Sequence, residues 1–381
     1  MKKIYLDYAA TTPVDKEVSR KIEVFSEDKF GNPSSLHSFG QEALFAMDHS
    51  REVVADFLNC KRKEVYFLSS ATEANNLAVF GVLKKRNDPH VIASPIEHKA
   101  VLEPIKRSGA SFDHLPVSSD GIVKKEKLKE LIRENTVLVS IGYANSEIGT
   151  LQPLKEISEI IREENKKRKE KIIFHTDAVQ AANYLSCDVQ SLGVDLLTIS
   201  GHKMYGPKGA AALFIKEGVD VSPIIYGASQ EKGLRPGTEN VYAIAGLAAA
   251  IEVLDKNDNE RTEELRDRIV RGVLSELPDA KVNGSMKDRL PNNINFTFKG
   301  AEGESIMIAL DREGVAVSTG SACASNSLSP SHVLLSLGLS HEEAHGSIRV
   351  SLGRFTTKEE VDFFIEKLPS IVNKLRMISG K

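Results

Sequence analysis

The sequence contains no tryptophan, and only three of its 381 residues are cysteine. Cys60, Cys187 and Cys323 are odd in number and widely spaced, which argues against a disulfide framework and predicts a reduced cytoplasmic protein. No stretch approaches the ~20 apolar residues of a membrane span, and no apolar run after Met1 suits a signal peptide. With 50 basic and 53 acidic side chains, a formal −3, we expect no membrane contact and no direct nucleic-acid binding.

The length exceeds the size at which a single core stops growing, so two domains are expected. Short apolar strands alternate with helical stretches through the first two-thirds of the chain. The predicted strands are 65–68, 91–93, 137–141, 172–174 and 196–199, and the predicted helices lie near 72–86, 98–108, 124–133 and 153–168. This order predicts an α/β fold with a largely parallel sheet between helices, in which ligands lie at the carboxyl ends of the strands.

A second set of elements follows a buried, Ala-rich helix at 238–255 and a charged helix at 259–276. Its predicted strands are 293–296 and 347–350, and its predicted helices lie near 302–313 and 358–376. We therefore predict a large domain at 15–257. Residues 1–14 and 258–381 would form a smaller α+β domain.

Polar residues follow three of the predicted strands. Ser70 and Thr72 open a helix after 65–68, where hydroxyls and backbone N–H groups suit a phosphate, although an ordinary helix cap is the commoner use. Asp177 follows 172–174, where it would either hydrogen-bond a protonated ring nitrogen or serve as a structural cap.

Lys203 leaves the strand at 196–199 into a glycine-rich turn. Burial of an unpaired ammonium is costly, and a Schiff base to an aldehyde removes that cost. The alternative is a lysine that extends to the surface. With Asp177 one strand earlier, the Schiff base is the favoured interpretation.

Seven segments, in the same order along nearly the whole chain, resemble cysteine desulfurases of the aminotransferase class V group. They are 5–13 (YLDYAATTP), 31–35 (GNPSS), 97–101 (EHKAV), 177–180 (DAVQ), 200–209 (SGHKMYGPKG), 234–240 (LRPGTEN) and 320–323 (GSAC). The resemblance implies the type I fold of enzymes that depend on pyridoxal 5'-phosphate (PLP). In that fold a mostly parallel seven-stranded sheet lies between helices, beside a smaller α+β domain.

The resemblance also implies roles in holding PLP. Lys203 would bind it as a Schiff base, Asp177 would pair with the ring nitrogen, His98 would stack on the ring, and Gln180 would contact its phenolic oxygen. Further contacts, to the phosphate and near the ring oxygen, would come from Ala71, Thr72, Ser200, His202, Asn145, Ser146 and, from the other subunit of a homodimer, Thr238. Ser146 stands where the family usually has a second asparagine.

A free amino acid needs its carboxylate held. Arg349 is the candidate, because a guanidinium matches a carboxylate bidentately and the resemblance assigns this task to this position. The resemblance also implies Asn32 as the second contact. From the sequence alone, Arg349 is also compatible with a salt bridge. Cys323 lies among the small polar residues 319–330, which predict a mobile loop suited to a carrier thiol, against the alternative of a chance exposed cysteine.

The implied reaction converts L-cysteine to L-alanine and leaves a persulfide on Cys323. The freed Lys203 would remove the Cα proton, and His98, with an ordinary pKa near ~6.5, would carry a proton. The loop resembles that of the desulfurases which deliver sulfur to an iron–sulfur scaffold protein or to a tRNA-thiolation enzyme. Residues 226–231 (YGASQE) lack the histidine that usually begins this stretch. The sequence also stops at Lys381 without the longer tail through which some relatives bind a scaffold protein.

Other functions remain open at this stage. A selenocysteine lyase would share these residues, whereas an aminotransferase needs no second nucleophile such as Cys323. A catalytically inactive binding subunit is favoured only by Ser146. A dinucleotide-binding dehydrogenase is set aside, because no Gly-x-Gly-x-x-Gly follows the first strand.

Overall fold

The computed structural model describes residues 3–255, 257–319 and 329–378. Its helices are α1 Lys16–Glu27, α2 Ser38–Leu58, α3 Ala71–Leu83, α4 Lys99–Arg107, α5 Leu128–Leu131, α6 Leu154–Asn165, α7 Val189–Leu192, α8 Val241–Glu252, α9 Asn257–Glu276, α10 Gly303–Arg312, α11 His332–Ser336, α12 His341–His345 and α13 Lys358–Ile378. Its strands are β1 Ile4–Tyr5, β2 Val65–Leu68, β3 His90–Ala93, β4 Ser111–His114, β5 Thr136–Ser140, β6 Ile173–Asp177, β7 Leu196–Ser200, β8 Ala211–Ile215, β9 Lys281–Asn283, β10 Asn293–Thr297, β11 Val315–Ala316 and β12 Ser347–Ser351.

The central sheet has seven strands in the order β2-β8-β7-β6-β5-β3-β4. Only β8 runs against its neighbours β2 and β7, so the sheet is mostly parallel, which confirms the predicted fold class. The sequence analysis did not predict β8 or the edge strand β4. The Ala-rich start of β8 follows directly on the glycine-rich turn, and β4 is too polar and exposed to show a buried-strand pattern.

The sheet is buried on both faces. Neighbouring residues of one strand pack into opposite cores: Phe174 and Leu197 contact one set of buried side chains, and Ile173 and Leu196 contact the other. The first core is closed by α2, α6 and α8, and the second by α3 and α4. Burial on both faces explains why the predicted strands 137–141, 172–174 and 196–199 read as mostly apolar runs.

The predicted helix near 124–133 is present but shorter. A 3-10 turn spans 125–127, α5 follows it directly, and β5 begins at Thr136. Leu128 is buried and Leu131 and Ile132 pack against the core only in part, so this Lys- and Glu-rich stretch has a small apolar face to hold a helix on the sheet.

A second core lies around the antiparallel sheet β12-β10-β9 and helices α9, α10 and α13. Phe296, Phe364 and Ile348 are fully buried in it, and Ile4 and Leu6 join it from the start of the chain. Strand β1 pairs in parallel with β11. This grouping supports a small domain of 1–14 and 258–381, and the boundary near 257 stays a prediction.

No helix within residues 3–255, 257–319 and 329–378 combines the length and the apolar character that a bilayer crossing requires.

Arg354 ties three parts of the chain together. Its Nε donates to Asp258 at 2.7 Å, one Nη donates to Asp15 at 3.1 Å, and the other donates to the carbonyl of Val253 at 3.0 Å. The guanidinium also lies 4.7 Å from the ring centroid of Tyr205. The Arg354 side chain is mostly buried, so solvent screens these contacts only in part.

We expect Arg354→Ala to lower the free energy of unfolding by about 2 kcal/mol, because it leaves two partly buried carboxylates without their cation. Denaturant unfolding of the holoenzyme would measure the loss. Arg268→Ala is the matched control, since Arg268 pairs with Asp362 at 2.5 Å on an exposed surface. An equal loss in both variants would contradict the role given to Arg354.

Candidate active site

Six of the seven strands run in the same direction, and five of them lead at one edge of the sheet to most of the predicted site residues. Strand β2 leads to the start of α3, β3 leads to His98, and β5 leads to the turn at 145–149. Strands β6 and β7 lead to Asp177 and Lys203. The parallel pairing therefore gathers groups that are far apart in sequence.

At this edge lies a cavity of about 680 Å³. Ten predicted site residues line it: Ala71, Thr72, His98, Asn145, Ser146, Asp177, Gln180, His202, Lys203 and Arg349. Among the described residues, no group of three or more His, Cys, Asp or Glu side chains is arranged to hold a metal ion.

Lys203 ends a short 3-10 turn after β7. Its Nζ donates to the carbonyl oxygens of Ala9 and Ala10, at 2.5 and 2.7 Å. Tyr205, two residues on, has a φ of +62°, a left-handed conformation that costs energy for a residue with a side chain. The backbone N–H of Tyr205 donates to Oγ1 of Thr12 at 2.9 Å. The start of the chain thus holds both the lysine and the strained turn behind it.

The carboxylate of Asp177 is held by two donors. Nδ2 of Asn75 donates to Oδ2 at 2.7 Å, and the backbone N–H of Val179 donates to Oδ1 at 2.9 Å. Gln180 donates from Nε2 to the carbonyl of Ala9 at 3.0 Å. These bonds fix the orientation of the acid at the end of β6.

The start of α3 borders the cavity through Ala71 and Thr72, and Ser70 caps the helix by accepting from the N–H of Glu73 at 3.2 Å. An anion here would meet the positive end of a helix dipole. Ser70 is therefore the helix cap, and the cavity position of Thr72 is compatible with the phosphate role.

His202 adds an uncharged donor to this wall. Burial, reinforced by the charges of Lys203 and Lys208, lowers the pKa of His202 to about 4, so the ring is neutral at neutral pH. Its Nδ1 lies 3.1 Å from Oγ1 of Thr11. Ser200 is buried but does not line the cavity, and its hydroxyl donates to the carbonyl of Ala210 at 3.5 Å.

His98 caps α4. Its Nδ1 accepts from the N–H of Ala100 at 3.1 Å, which leaves the proton of a neutral ring on Nε2. This contact fixes the tautomer of the ring at the cavity wall.

Asn145 has a structural role in the turn after β5. Its amide donates to the carbonyl of Ile96 at 2.8 Å, and its oxygen accepts from the N–H groups of Glu147 and Ile148, at 2.8 and 3.0 Å. The carbonyl of Ser146 accepts from Arg349 at 3.1 Å. Both residues therefore shape the cavity wall through these bonds, and their contact with a cofactor stays a prediction.

Arg349 lies on β12 with its side chain almost fully buried. One Nη donates to Asp7 at 2.8 Å and the other to the carbonyl of Ser146. Arg349 lines the cavity, and its buried Nε has no hydrogen-bond partner among the described residues. A buried, unsatisfied N–H is costly, and a ligand carboxylate would satisfy it.

Two buried glutamates at the cavity were missed in the sequence. Burial raises the pKa of Glu97 to about 8, and Asp177 adds to the effect; one oxygen accepts from the N–H of Gly142 at 2.8 Å. Burial also raises the pKa of Glu147 to about 7, and Oε2 accepts from Ser331 at 2.5 Å. The position of Glu97 beside His98, inside a motif, was the available signal.

Two further predicted residues, Asn32 and Thr238, do not line this cavity. Asn32 and Thr238 are exposed, and the Asn32 side chain accepts from the N–H of Ser34 at 2.9 Å. Cys323 lies outside the described residues. Its predicted role as the sulfur carrier therefore rests on the sequence.

Comparisons with known proteins agree along the whole chain. The aminotransferase class-V family matches residues 4–364. The cysteine desulfurase IscS of Dictyoglomus turgidum is 48% identical over 387 residues, which span 99% of this chain and 96% of that protein. Cysteine desulfurase IscS 1 of Archaeoglobus fulgidus is 44% identical over 383 residues, which span 98% of each chain.

Solved structures give the same answer. A NifS-like protein has a TM-score of 0.90 and 36% identity, covering 98% of this chain and 100% of that one. The structure of SspA in complex with cysteine has a TM-score of 0.81 and 34% identity, covering 93% and 100%. The chain belongs to the aminotransferase class-V family and, within it, to the cysteine desulfurases.

Enzymes of this family depend on PLP, which confirms the predicted cofactor. The cavity residues fit it. The amine of Lys203 can condense with the aldehyde, and the carboxylate of Asp177 can accept a hydrogen bond from a protonated ring nitrogen. The start of α3 and the neutral ring of His202, which line the same cavity, suit the phosphate.

The raised pKa of Glu97 makes stability depend on pH. In the unfolded chain this carboxyl loses its proton near 4.5, and in the folded protein near 8. Between these values the folded state binds the extra proton, so stability falls as pH rises through this window. We expect Glu97→Gln to flatten this fall, because the amide does not ionise.

Thermal unfolding of the holoenzyme between pH 5 and 9 checks this prediction. Parent and Glu97→Gln should unfold at similar temperatures near pH 5, and the variant should be the more stable at pH 9. Glu103→Gln, on the exposed face of α4, is the control that should follow the parent. A parallel fall in all three proteins would contradict a neutral Glu97.

Proposed function

We propose that this protein is an enzyme that converts L-cysteine to L-alanine and passes the sulfur to Cys323. The observation that carries the proposal is one cavity that holds an amine, Lys203, near a guanidinium, Arg349, with an unsatisfied donor. SspA, a solved relative, binds cysteine. Membership of the cysteine desulfurases supports the same substrate.

The residues of the chain have separate tasks in this reaction. Arg349 binds the substrate carboxylate, and its buried position makes the hydrogen bonds strong and directional. When bound, PLP supplies an electron sink that makes the Cα proton of an amino acid labile. Lys203 accepts that proton on Nζ, and the carbonyls of Ala9 and Ala10 hold this nitrogen at the cavity when it is protonated.

The sulfur step uses a second nucleophile. The Cys323 thiolate attacks Sγ of the substrate, an S–S bond forms, and the Cβ–Sγ bond breaks. The electron pair of that bond stays with the three-carbon fragment, which becomes alanine after two protons are added. His98, with its tautomer fixed, is the proposed proton carrier for this wall of the cavity.

Cys323→Ala should lower alanine and sulfide formation from L-cysteine more than about 100-fold, because no thiolate then takes the sulfur. The cofactor absorbance should stay unchanged. Cys60→Ala is the matched control and should keep full activity. Burial, with Glu64 and Asp56 nearby, raises the pKa of Cys60 to about 12, so it is not a thiolate at neutral pH.

The outcome that counts against desulfuration is a parent enzyme that binds PLP but makes no alanine, even with a reductant present. Activity that survives in Cys323→Ala would instead move the carrier role to another residue.

The homodimer is the proposed active form. Asn32 and Thr238, two exposed predicted residues that do not line the cavity, lie in stretches with exposed apolar side chains. Those side chains include Phe30, Leu36, Phe39 and Tyr242. Phe39 lies on α2 and Tyr242 on α8, and these two helices pack together. An exposed apolar patch of this kind marks a protein interface, across which Thr238 would reach the partner's cofactor phosphate.

Mixing two inactive variants tests the shared site. Lys203→Ala removes the lysine, and Thr238→Asp sets a negative charge against the phosphate. If Thr238 crosses the interface, a mixed dimer has one intact site, and a 1:1 exchanged mixture should recover about a quarter of the parent activity. If each site uses its own Thr238, the mixture should show only the average of the two variants.

We further propose that the persulfide passes to a protein acceptor, either an iron–sulfur scaffold protein or a tRNA-thiolation enzyme. The unpaired thiols of Cys60 and Cys187 support a reducing compartment, and the cytoplasm is the proposed location.

A further inference from the structure

We propose that Asp7 is a positioning residue, which holds the Arg349 guanidinium in the plane that receives the substrate carboxylate. This inference rests on the proposed function, and it assigns Asp7 a task in substrate selection.

The backbone fixes Asp7 against the strand that carries Arg349. The N–H of Ser351 donates to the carbonyl of Leu6 at 2.8 Å, and the N–H of Tyr8 donates to the carbonyl of Ser351 at 3.2 Å. The N–H of Ala9 also donates to Oγ of Ser351 at 2.9 Å. Asp7 lies between these bonds, so its carboxylate has a set position relative to β12.

The guanidinium is then held at two of its three nitrogens. Asp7 accepts from Nη2 at 2.8 Å, and the carbonyl of Ser146 accepts from Nη1 at 3.1 Å. Rotation of the planar group would break both bonds. The unsatisfied Nε is left as a donor in a fixed direction.

The pair also changes what attracts the substrate. The Asp7 charge offsets that of Arg349, so a carboxylate is attracted less by net charge and more by directed hydrogen bonds. Such a site favours a ligand that fits the plane over a general anion. Asp7 therefore contributes to specificity by removing a bare positive charge from the cavity.

The same short segment, residues 7–12, also holds the reacting lysine. Ala9 and Ala10 accept from Lys203, and Ala9 accepts from Gln180. Asp7 thus sets the distance between the carboxylate site and the amine that takes the Cα proton. A displaced Arg349 guanidinium would shift the bound carboxylate and move the Cα proton of the substrate away from Nζ of Lys203.

A purely structural role for Asp7 is the alternative, and the chain offers a matched control. Asp15 pairs with Arg354 at 3.1 Å, so it also ties the start of the chain to the residues after β12. Both pairs are mostly buried, but neither Asp15 nor Arg354 lines the cavity.

The experiment compares the holoenzymes of parent, Asp7→Asn, Asp15→Asn, Arg349→Lys and the Asp7→Asn/Arg349→Lys double variant. Asparagine keeps an acceptor oxygen, so the fold should be retained, and Asp7→Ser is a second variant. Three quantities are measured: the steady-state KM and kcat for L-cysteine, and the Kd of L-alanine by calorimetry, which needs no turnover.

We expect Asp7→Asn to raise KM and the alanine Kd about tenfold, with kcat within about threefold. A neutral amide oxygen holds the guanidinium more weakly than a carboxylate does, and this loss of orientation outweighs the gain in net positive charge. Asp15→Asn should lower the unfolding temperature and leave both constants within about twofold. In the Arg349→Lys background the Asp7→Asn effect should disappear, because the two residues act as one unit.

Equal changes in Asp7→Asn and Asp15→Asn, or an effect that adds fully to that of Arg349→Lys, would overturn the inference. If the parent makes no alanine, the proposed function fails, and the alanine Kd values still decide the role of Asp7.

Discussion

Parallel hydrogen bonding between β5, β6 and β7 brings the ends of three strands to one edge of the sheet, and the site depends on this constraint. The register of the strand pairs fixes where each strand ends along the sheet. Asp177 and the turn that carries Lys203 therefore line the same cavity. Strand β8 runs in the opposite direction between β2 and β7, and the parallel order of β5, β6 and β7 is kept. Loops then add the functional side chains to a rigid frame.

Local sequence was sufficient for residues that follow a strand or lie in a recognisable motif, such as Lys203, Asp177 and Arg349. It was insufficient where a role depends on a distant partner. Asp7 was visible within a motif, but its contact with Arg349 spans 342 residues. Asn145 was predicted to contact the cofactor, which stays a prediction, but the bonds of its amide within the turn after β5 were not foreseen. Such roles follow from tertiary contacts, which spacing does not encode.

Burial shifts the pKa values of three groups at the cavity so that each favours its neutral form. Burial raises the pKa values of Glu97 and Glu147 and lowers that of His202, so each of these groups shifts toward its neutral form. Asp177, Lys203 and Arg349 line the same cavity, and hydrogen bonds to neighbouring groups fix their positions. The orientation of a bound amino acid then depends on a few fixed contacts.

The contacts of residues 7–12 have a consequence for how the chain acquires its site during synthesis. Asp7 contacts Arg349, which is made 342 residues later, and Leu6 and Tyr8 bond Ser351 on the same strand. The large sheet can form while translation continues, but the substrate pocket has no closed wall until β12 has been made. A product truncated before β12 can therefore hold a folded sheet and still lack a working pocket.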